Sequence, residues 1–228
     1  KLLKLRFPVN VHFMRATYEI PYGHIERFAN GEEEPGQSWV DVSGSSRDTG
    51  GLYGLSLLND GKYSFDVNVR DIGMTVARSP IYAHHDPMKP DPEAMYSYLD
   101  QGMQRFRYAL LPHPGGWSEA EAVQRAAELN QPPISLAATF HAGTLPQAQS
   151  FLRLEGDTVV ASVLKGGEDG DALILRLYET SKNTARARVT LLNRSFEADF
   201  GPCEIKTFRV PSDEGESVRE VNLLEWEA

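Results

Sequence analysis

Along most of this chain, apolar and polar residues alternate in short runs cut by Gly, Pro, Asn and Asp. This pattern limits the fold more than any other feature. A β-strand sends successive side chains to opposite faces, so an alternating run buries one face only inside a sheet. Leu3, Leu5 and Phe7 alternate with Lys4 and Arg6, and Val9, Val11 and Phe13 carry the pattern past Pro8. Residues 52–58 are a compact apolar run closed by Asn59-Asp60-Gly61. Asp-Gly is a hairpin signal, because both central positions of a tight turn need positive φ. Tyr63, Phe65, Val67 and Val69 then alternate on the expected returning strand. Residues 74–77 and 105–111 read as further strands. Residues 30–38 and 84–95 are polar and proline-containing, so they read as loops. Long ordered loops on a β scaffold tend to carry function.

One helix interrupts the strands. Ser118-Glu119-Ala120-Glu121 has the spacing of a capping box, in which the serine and the second glutamate cap reciprocally. Ala122, Val123, Ala126, Ala127 and Leu129 follow at helical spacing, and Asn130 with Pro132-Pro133 stops the run. The helix separates two β regions, which places a boundary between 1–130 and 131–228. Beyond it, residues 159–164, 173–178, 187–192, 205–210 and 221–226 read as strands. Short strands with frequent turns make the fold class all-β, with sandwich architecture.

The net charge of −9 and pI of about 5.2 exclude a nucleic-acid partner, since phosphate contacts need a basic face. They also argue against anionic lipid. No apolar run approaches the roughly 18 residues that cross a bilayer, so no membrane span is expected. Cys203 is the one cysteine; it cannot form an intrachain disulfide and reads as a small buried hydrophobe. This fits a reducing compartment, the bacterial cytoplasm. Asn193-Arg194-Ser195 is a lone sequon of the kind chance supplies. The start, Lys1-Leu2-Leu3-Lys4, has no Met and no signal-peptide layout. The expectation is a piece of a longer protein.

Several blocks resemble the C-terminal part of glycoside hydrolase family 38 α-mannosidases. Tyr18-Glu19-Ile20-Pro21-Tyr22-Gly23-His24-Ile25-Glu26-Arg27 is similar to a family segment. So are Leu58-Asn59-Asp60-Gly61-Lys62-Tyr63, Arg78-Ser79-Pro80, Asp100-Gln101-Gly102 and the run from Phe106 to His113. Leu164-Lys165, Glu168-Asp169-Gly170, the run from Leu175 to Glu179, and Glu204-Ile205-Lys206-Thr207 complete the order. Ser64, Met103-Gln104 and His84-His85-Asp86-Pro87 depart from the family pattern.

The resemblance implies a large mutarotase-like β-sandwich over 1–130. It implies strands returning to that sandwich plus a small terminal sandwich over 131–228. It also implies a retaining α-mannosidase as the parent enzyme, with nucleophile and zinc in an N-terminal catalytic domain outside this sequence. No catalytic residue, metal ligand or cofactor is then expected here. The implied partners are that catalytic domain and mannose-containing glycans. Self-association through apolar surface left uncovered is also expected.

The residues leave other readings open. Asn59, Asp60, Lys62 and Tyr63 combine amide, carboxylate, ammonium and phenol in one turn, groups that satisfy sugar hydroxyls and pack on a ring face. The same residues also suit a solvated turn or an inter-domain contact. Arg78 and Asp100 join them as candidate sugar contacts or as a buried ion pair, with His113 nearby in sequence. Glu32-Glu33-Glu34 reads as a solvated loop. His84-x-Asp86 has zinc-ligand spacing but lacks converging partners. Tyr108 and Trp117 read as core or interface aromatics. Two alternatives to the mannosidase region remain. One is a stand-alone carbohydrate-binding module. The other is a mutarotase-like sugar isomerase using His24, Glu26 and His113.

Overall fold

The computed structural model describes residues 2–81, 91–168 and 170–226. They divide into two units, one of residues 2–20 and 24–133, the other of 21–23 and 134–226. The architecture is all-β with one helix, as the alternation implies.

The first unit holds nine strands: β1 (Leu2–Pro8), β2 (Val11–Ile20), β3 (Gly23–Arg27), β4 (Glu34–Pro35), β5 (Trp39–Ser46), β6 (Leu52–Asn59), β7 (Ser64–Asn68), β8 (Asp71–Arg78) and β9 (Tyr108–Pro114). Helix α1 spans Ala122–Asn130. One sheet has the order β1-β8-β7-β4 and the other β3-β2-β5-β6-β9. The two face each other. Phe65, Val67, Ile72 and Met74 from the first meet Ala16, Tyr18, Val40, Val42 and Leu57 from the second. This is the product of alternation, one face per strand turned inward. On the outer side of the five-stranded sheet, Trp39 and Leu58 pack against Ala122 and Ala126 of α1.

Four expectations change in this unit. First, the 52–69 region is not a hairpin. β6 pairs with β5 and β9, whereas β7 pairs with β4 and β8. Residues 60–63 therefore cross from one sheet to the other, and neither Asp60 nor Gly61 adopts the positive φ of a tight hairpin. Second, Phe13 does not point inward. The β2–β5 register shifts between His12 and Arg15, Phe13 takes φ 48°, and its ring is 94% exposed. Gly44 accommodates this bulge, since a Cβ there would stand 2.4 Å from the His12 carbonyl oxygen. Third, the capping box does not form. Glu121 precedes the helix at φ 54° without a side-chain cap, and its amide bonds the Ser118 carbonyl at 3.0 Å. Its carboxylate instead pairs with Arg125 at 2.8 Å. Fourth, Glu33 is not simply solvated. It binds Lys4, Ser64 and Thr75.

The second unit holds β10 (Leu152–Glu155), β11 (Val159–Gly166), β12 (Ala172–Glu179), β13 (Ala185–Leu191), β14 (Arg194–Phe200), β15 (Ile205–Pro211) and β16 (Arg219–Val221). Its sheets run β10-β13-β14 and β11-β12-β15-β16. Leu175, Leu177 and Phe208 of one face Val189, Ala187 and Phe200 of the other. The buried Glu179 ties two turns together, accepting from the amides of Ser181 at 2.7 Å, Asn183 at 3.2 Å and Cys203 at 3.1 Å. Burial pushes its carboxyl up, but these donors more than reverse that and leave its pKa lowered. Cys203 is half-buried at φ 54°, a turn residue rather than a core one. The expected strand at 221–226 ends at Val221. Asn222 Oδ1 accepts the amides of Leu224 and Trp226 at 2.9 and 3.1 Å, turning the chain instead.

Candidate functional site

The crossover from β6 to β7 is built around Asn59. Its side chain is buried and used internally. Oδ1 accepts the amides of Gly61 at 3.0 Å and Lys62 at 2.6 Å, and Nδ2 donates to the Gln37 carbonyl at 2.9 Å. The Asn130 amide donates to the Asn59 carbonyl at 2.9 Å, so the end of α1 closes over the turn. Asp60 faces outward onto Arg107. Its carboxylate accepts the Arg107 amide at 2.7 Å and Nε at 2.8 Å, which holds its pKa below the usual carboxylate value. Arg107 Nη2 continues to the Leu129 carbonyl at 3.1 Å.

Lys62 donates to Gln104 Oε1 at 3.2 Å and stands 5.4 Å from the Phe106 ring centroid. Phe106 continues into an aromatic file, 6.2 Å from Tyr108, which lies 5.6 Å from Phe7. Tyr63 is 61% exposed. Asp100, at φ 52°, accepts the backbone amide of Arg78 at 2.8 Å. The Arg78–Asp100 contact is thus a backbone clamp between loops, not an ion pair of side chains.

So the structure gathers Asp60, Lys62 and Tyr63 with Gln104, Phe106 and Arg107 on one surface. It withdraws Asn59 into the scaffold, and it uses Asp100 to pin Arg78. The partnership of Arg107 with Asp60 was not legible, because opposite charges far apart in a sequence say nothing about pairing. A separate groove of about 500 Å³ between β2 and β3 is lined by Arg15, Glu26, Arg27, Phe28 and Asn30, and by none of the six expected residues.

The outer face of the four-stranded sheet carries a charge network. Asp66, fully buried, receives Lys4 and also Arg6 Nη1 at 2.7 Å. A Cβ on Gly73 would stand 2.4 Å from Asp66 Oδ1, so only glycine leaves room for the carboxylate. Lys4 also reaches Glu33. Burial pushes the Glu33 carboxyl up, yet Lys4, Ser64 and Thr75 bring it down to about 2. Burial lowers the pKa of the Lys4 ammonium, and the hydrogen bonds it donates to Asp66 and Glu33 more than restore it.

The outer face of the five-stranded sheet carries a second network. His113 Nε2 lies 2.8 Å from Asp41 Oδ2 and 3.2 Å from Ser56 Oγ. Ser56 and Ser43 donate to the two Asp41 oxygens at 2.7 and 2.5 Å. Gly54 makes space for the imidazole, since a Cβ there would stand 2.4 Å from His113 Cε1. Burial disfavours the imidazolium, but Asp41 outweighs it, and the pKa of His113 is raised. Beyond Gly115, Trp117 stacks on Trp39 at 5.2 Å and lies 4.4 Å from the His24 ring. Of the residues of the isomerase reading, Glu26 pairs with Arg15 at 3.4 Å and His113 with Asp41. Among the described residues, no three His, Cys, Asp or Glu side chains gather as metal ligands. His84 and Asp86 lie outside the described residues.

Two family models match the chain in order. Residues 1–93 match the glycosyl hydrolases family 38 C-terminal domain, and residues 158–227 match the family 38 C-terminal beta sandwich domain. The chain belongs to the C-terminal region of glycosyl hydrolase family 38. Apart from residues 21–23, the first match falls in the first unit, and the second match falls in the second. Alpha-mannosidase G of Dictyostelium discoideum is 30% identical over 195 residues, covering 79% of this chain and 16% of that protein. Human alpha-mannosidase 2C1 is 32% identical over 190 residues, covering 78% and 16%. The crystal structure of an alpha-mannosidase from Enterococcus faecalis V583 superposes at a TM-score of 0.69 with 16% identity, over 92% of this chain and 26% of that one. This family 38 region thus spans about a sixth of the length of the curated relatives it matches. No described helix is long and apolar enough to cross a membrane.

Proposed function

We propose that this chain is the C-terminal β region of an α-mannosidase, and that it supports the catalytic portion and rims the sugar site. The observation that carries this reading is the pair of family 38 C-terminal models, matched in order on the two units. Two curated relatives that align over more than three quarters of the chain are α-mannosidases. Hydrolysis with retention needs two carboxyl groups roughly 5–5.5 Å apart. The acidic residues described above are committed to cations, hydroxyls and amides within the scaffold. The zinc that the family implies does not fit the described residues, which offer no convergent ligand set. Both belong to the upstream catalytic portion, in a cytoplasmic enzyme.

The sugar-facing groups in this reading are Lys62, Tyr63 and Gln104, with the Asp60–Arg107 pair fixing the crossover beneath them. Asn59, Arg78 and Asp100 shape the loops. The test pairs two measurements. The native protein hydrolyses an aryl α-mannoside, and Lys62→Ala with Tyr63→Ala raises its KM about tenfold, each lost hydrogen bond to a sugar being worth roughly 0.5–1.5 kcal/mol. The 228-residue chain alone shows no turnover. Native protein without α-mannosidase activity would sink the proposal. Saturable binding of mannobiose by the isolated chain would favour the carbohydrate-binding module.

A further inference from the structure

Residues 129–152 contain no Asp, Glu, Lys or Arg, in a chain of which 24% is charged. A free linker stays in water through charge and low hydrophobicity; this stretch has neither. Ile134, Leu136, Phe140 and Leu145 are each at least 86% exposed. From 134 to 141 the residues alternate. Ile134, Leu136, Ala138 and Phe140 share one side, and Ser135, Ala137, Thr139 and His141 the other. That is the period of a strand with one face buried. Yet residues 132–144 form no strand or helix. Among the described residues, no backbone hydrogen bond joins 134–141 to a sheet. The stretch has the pattern of a strand and lacks a sheet.

We propose that residues 134–141 are a strand donor. They add in β conformation to an open sheet edge in the upstream portion of a family 38 enzyme, and lay Ile134, Leu136 and Phe140 into its core. In such an addition the backbone ladder supplies affinity, and pockets for alternate side chains supply specificity. The receiver follows from size and charge, and it rests on the mannosidase reading. The relatives extend far beyond the 16% of their length that this region spans. A second copy is a poor receiver. Antiparallel self-pairing about Ala137 sets Ile134 against Phe140 and Leu136 against Ala138, so all the large apolar side chains lie on one side of a two-stranded ribbon and still face water. Such ribbons are marginal in water, and two chains of net charge −9 repel.

The test is hydrogen exchange read by mass spectrometry on the 228-residue chain and on the native protein from its source, with α-mannosidase activity measured on the latter. In the chain alone, 134–141 exchanges at free-peptide rates; in the native enzyme it exchanges about 100-fold more slowly, while β6 and β12 are protected alike in both. Leu136→Asp with Phe140→Asp restores fast exchange there in the native enzyme. In the chain alone these exposed positions leave Tm unchanged, which separates lost docking from misfolding. Free-peptide rates at 134–141 in an active native enzyme overturn the strand donor and leave the mannosidase reading standing. Concentration-dependent protection in the chain alone assigns the segment to a second copy and overturns it too. Native protein without α-mannosidase activity overturns the reading and, with it, the receiver named here.

Discussion

The first unit buries one carboxylate under each of its outer faces, and holds the two in different ways. Asp66 sits over Gly73 and is met by the cations of Lys4 and Arg6. Asp41 is met by His113 and two serine hydroxyls. The lysine and arginine enter from a half-open face, where the remaining N–H groups of Arg6, whose side chain is 43% exposed, reach water. The Asp41 site has Trp117 and the 115–117 turn beside it, and an imidazole offers few N–H groups to satisfy there. The comparison teaches that a buried carboxylate in a sheet is tolerated by either route. The first route sets two cations against the carboxylate, whereas the second depends on one proton.

Removing a carboxylate should separate the two most. Asp41→Ala strands a buried imidazole and two hydroxyls, and should cost about 3–5 kcal/mol in urea unfolding followed by Trp39 and Trp117 fluorescence. Asp41→Asn, which keeps an acceptor, should cost less. A loss under about 0.5 kcal/mol for Asp41→Ala would show that the pair is not an electrostatic unit.

Gly54→Ala and Gly73→Ala come next. Each added methyl meets a ring or carboxylate at 2.4 Å, and overpacking of this kind costs about 1–3 kcal/mol. The Gly54 variant should cost more, because a buried ring yields less than a carboxylate held by flexible cations. Equal losses would erase that distinction.

The pH response is smaller and opposite in the two networks. The folded pKa of His113 is raised, so its contribution is complete below the ordinary histidine value of about 6.5 and is lost as pH rises through the folded value. The Glu33 carboxyl is lowered from 4.5 to about 2, so its contribution is present above 4.5 and is lost as pH falls toward 2. His113→Phe should flatten the alkaline limb of Tm against pH, and Glu33→Gln the acid limb. The smallest effect is expected from Arg6→Gln, at most about 1 kcal/mol and weaker in high salt. A salt-independent loss would mean that packing, not charge, holds Arg6.

Much of the β pattern was readable, and the gaps have a common cause. β1 and β7 follow from alternation, β6 from its compact apolar run, and α1 from its apolar spacing and the prolines beyond it. β5 was not legible, although it is central to its sheet. Asp41, Ser43, Gly44 and Ser45 look like a loop until the strands on either side supply partners for them. The 118–121 capping signal failed because the preceding turn closes on backbone carbonyls first. At the candidate site, Lys62 and Tyr63 reach the surface as their chemistry suggests, whereas Asn59 does not, because the Gln37 carbonyl and the Gly61 and Lys62 amides occupy its side-chain amide.

The sequence by itself determined the all-β class, the place of the helix and the ordered blocks of family 38. These depend on local periodicity and on residue identity, which a chain carries without folding. Only the tertiary structure decided that β6 and β7 lie in opposite sheets, that Glu33 turns onto Lys4, and that Asp41 pairs with His113. Alternation specifies which face of a strand is buried but not which strand lies beside it. A polar group's role follows from partners that only folding brings within hydrogen-bond reach.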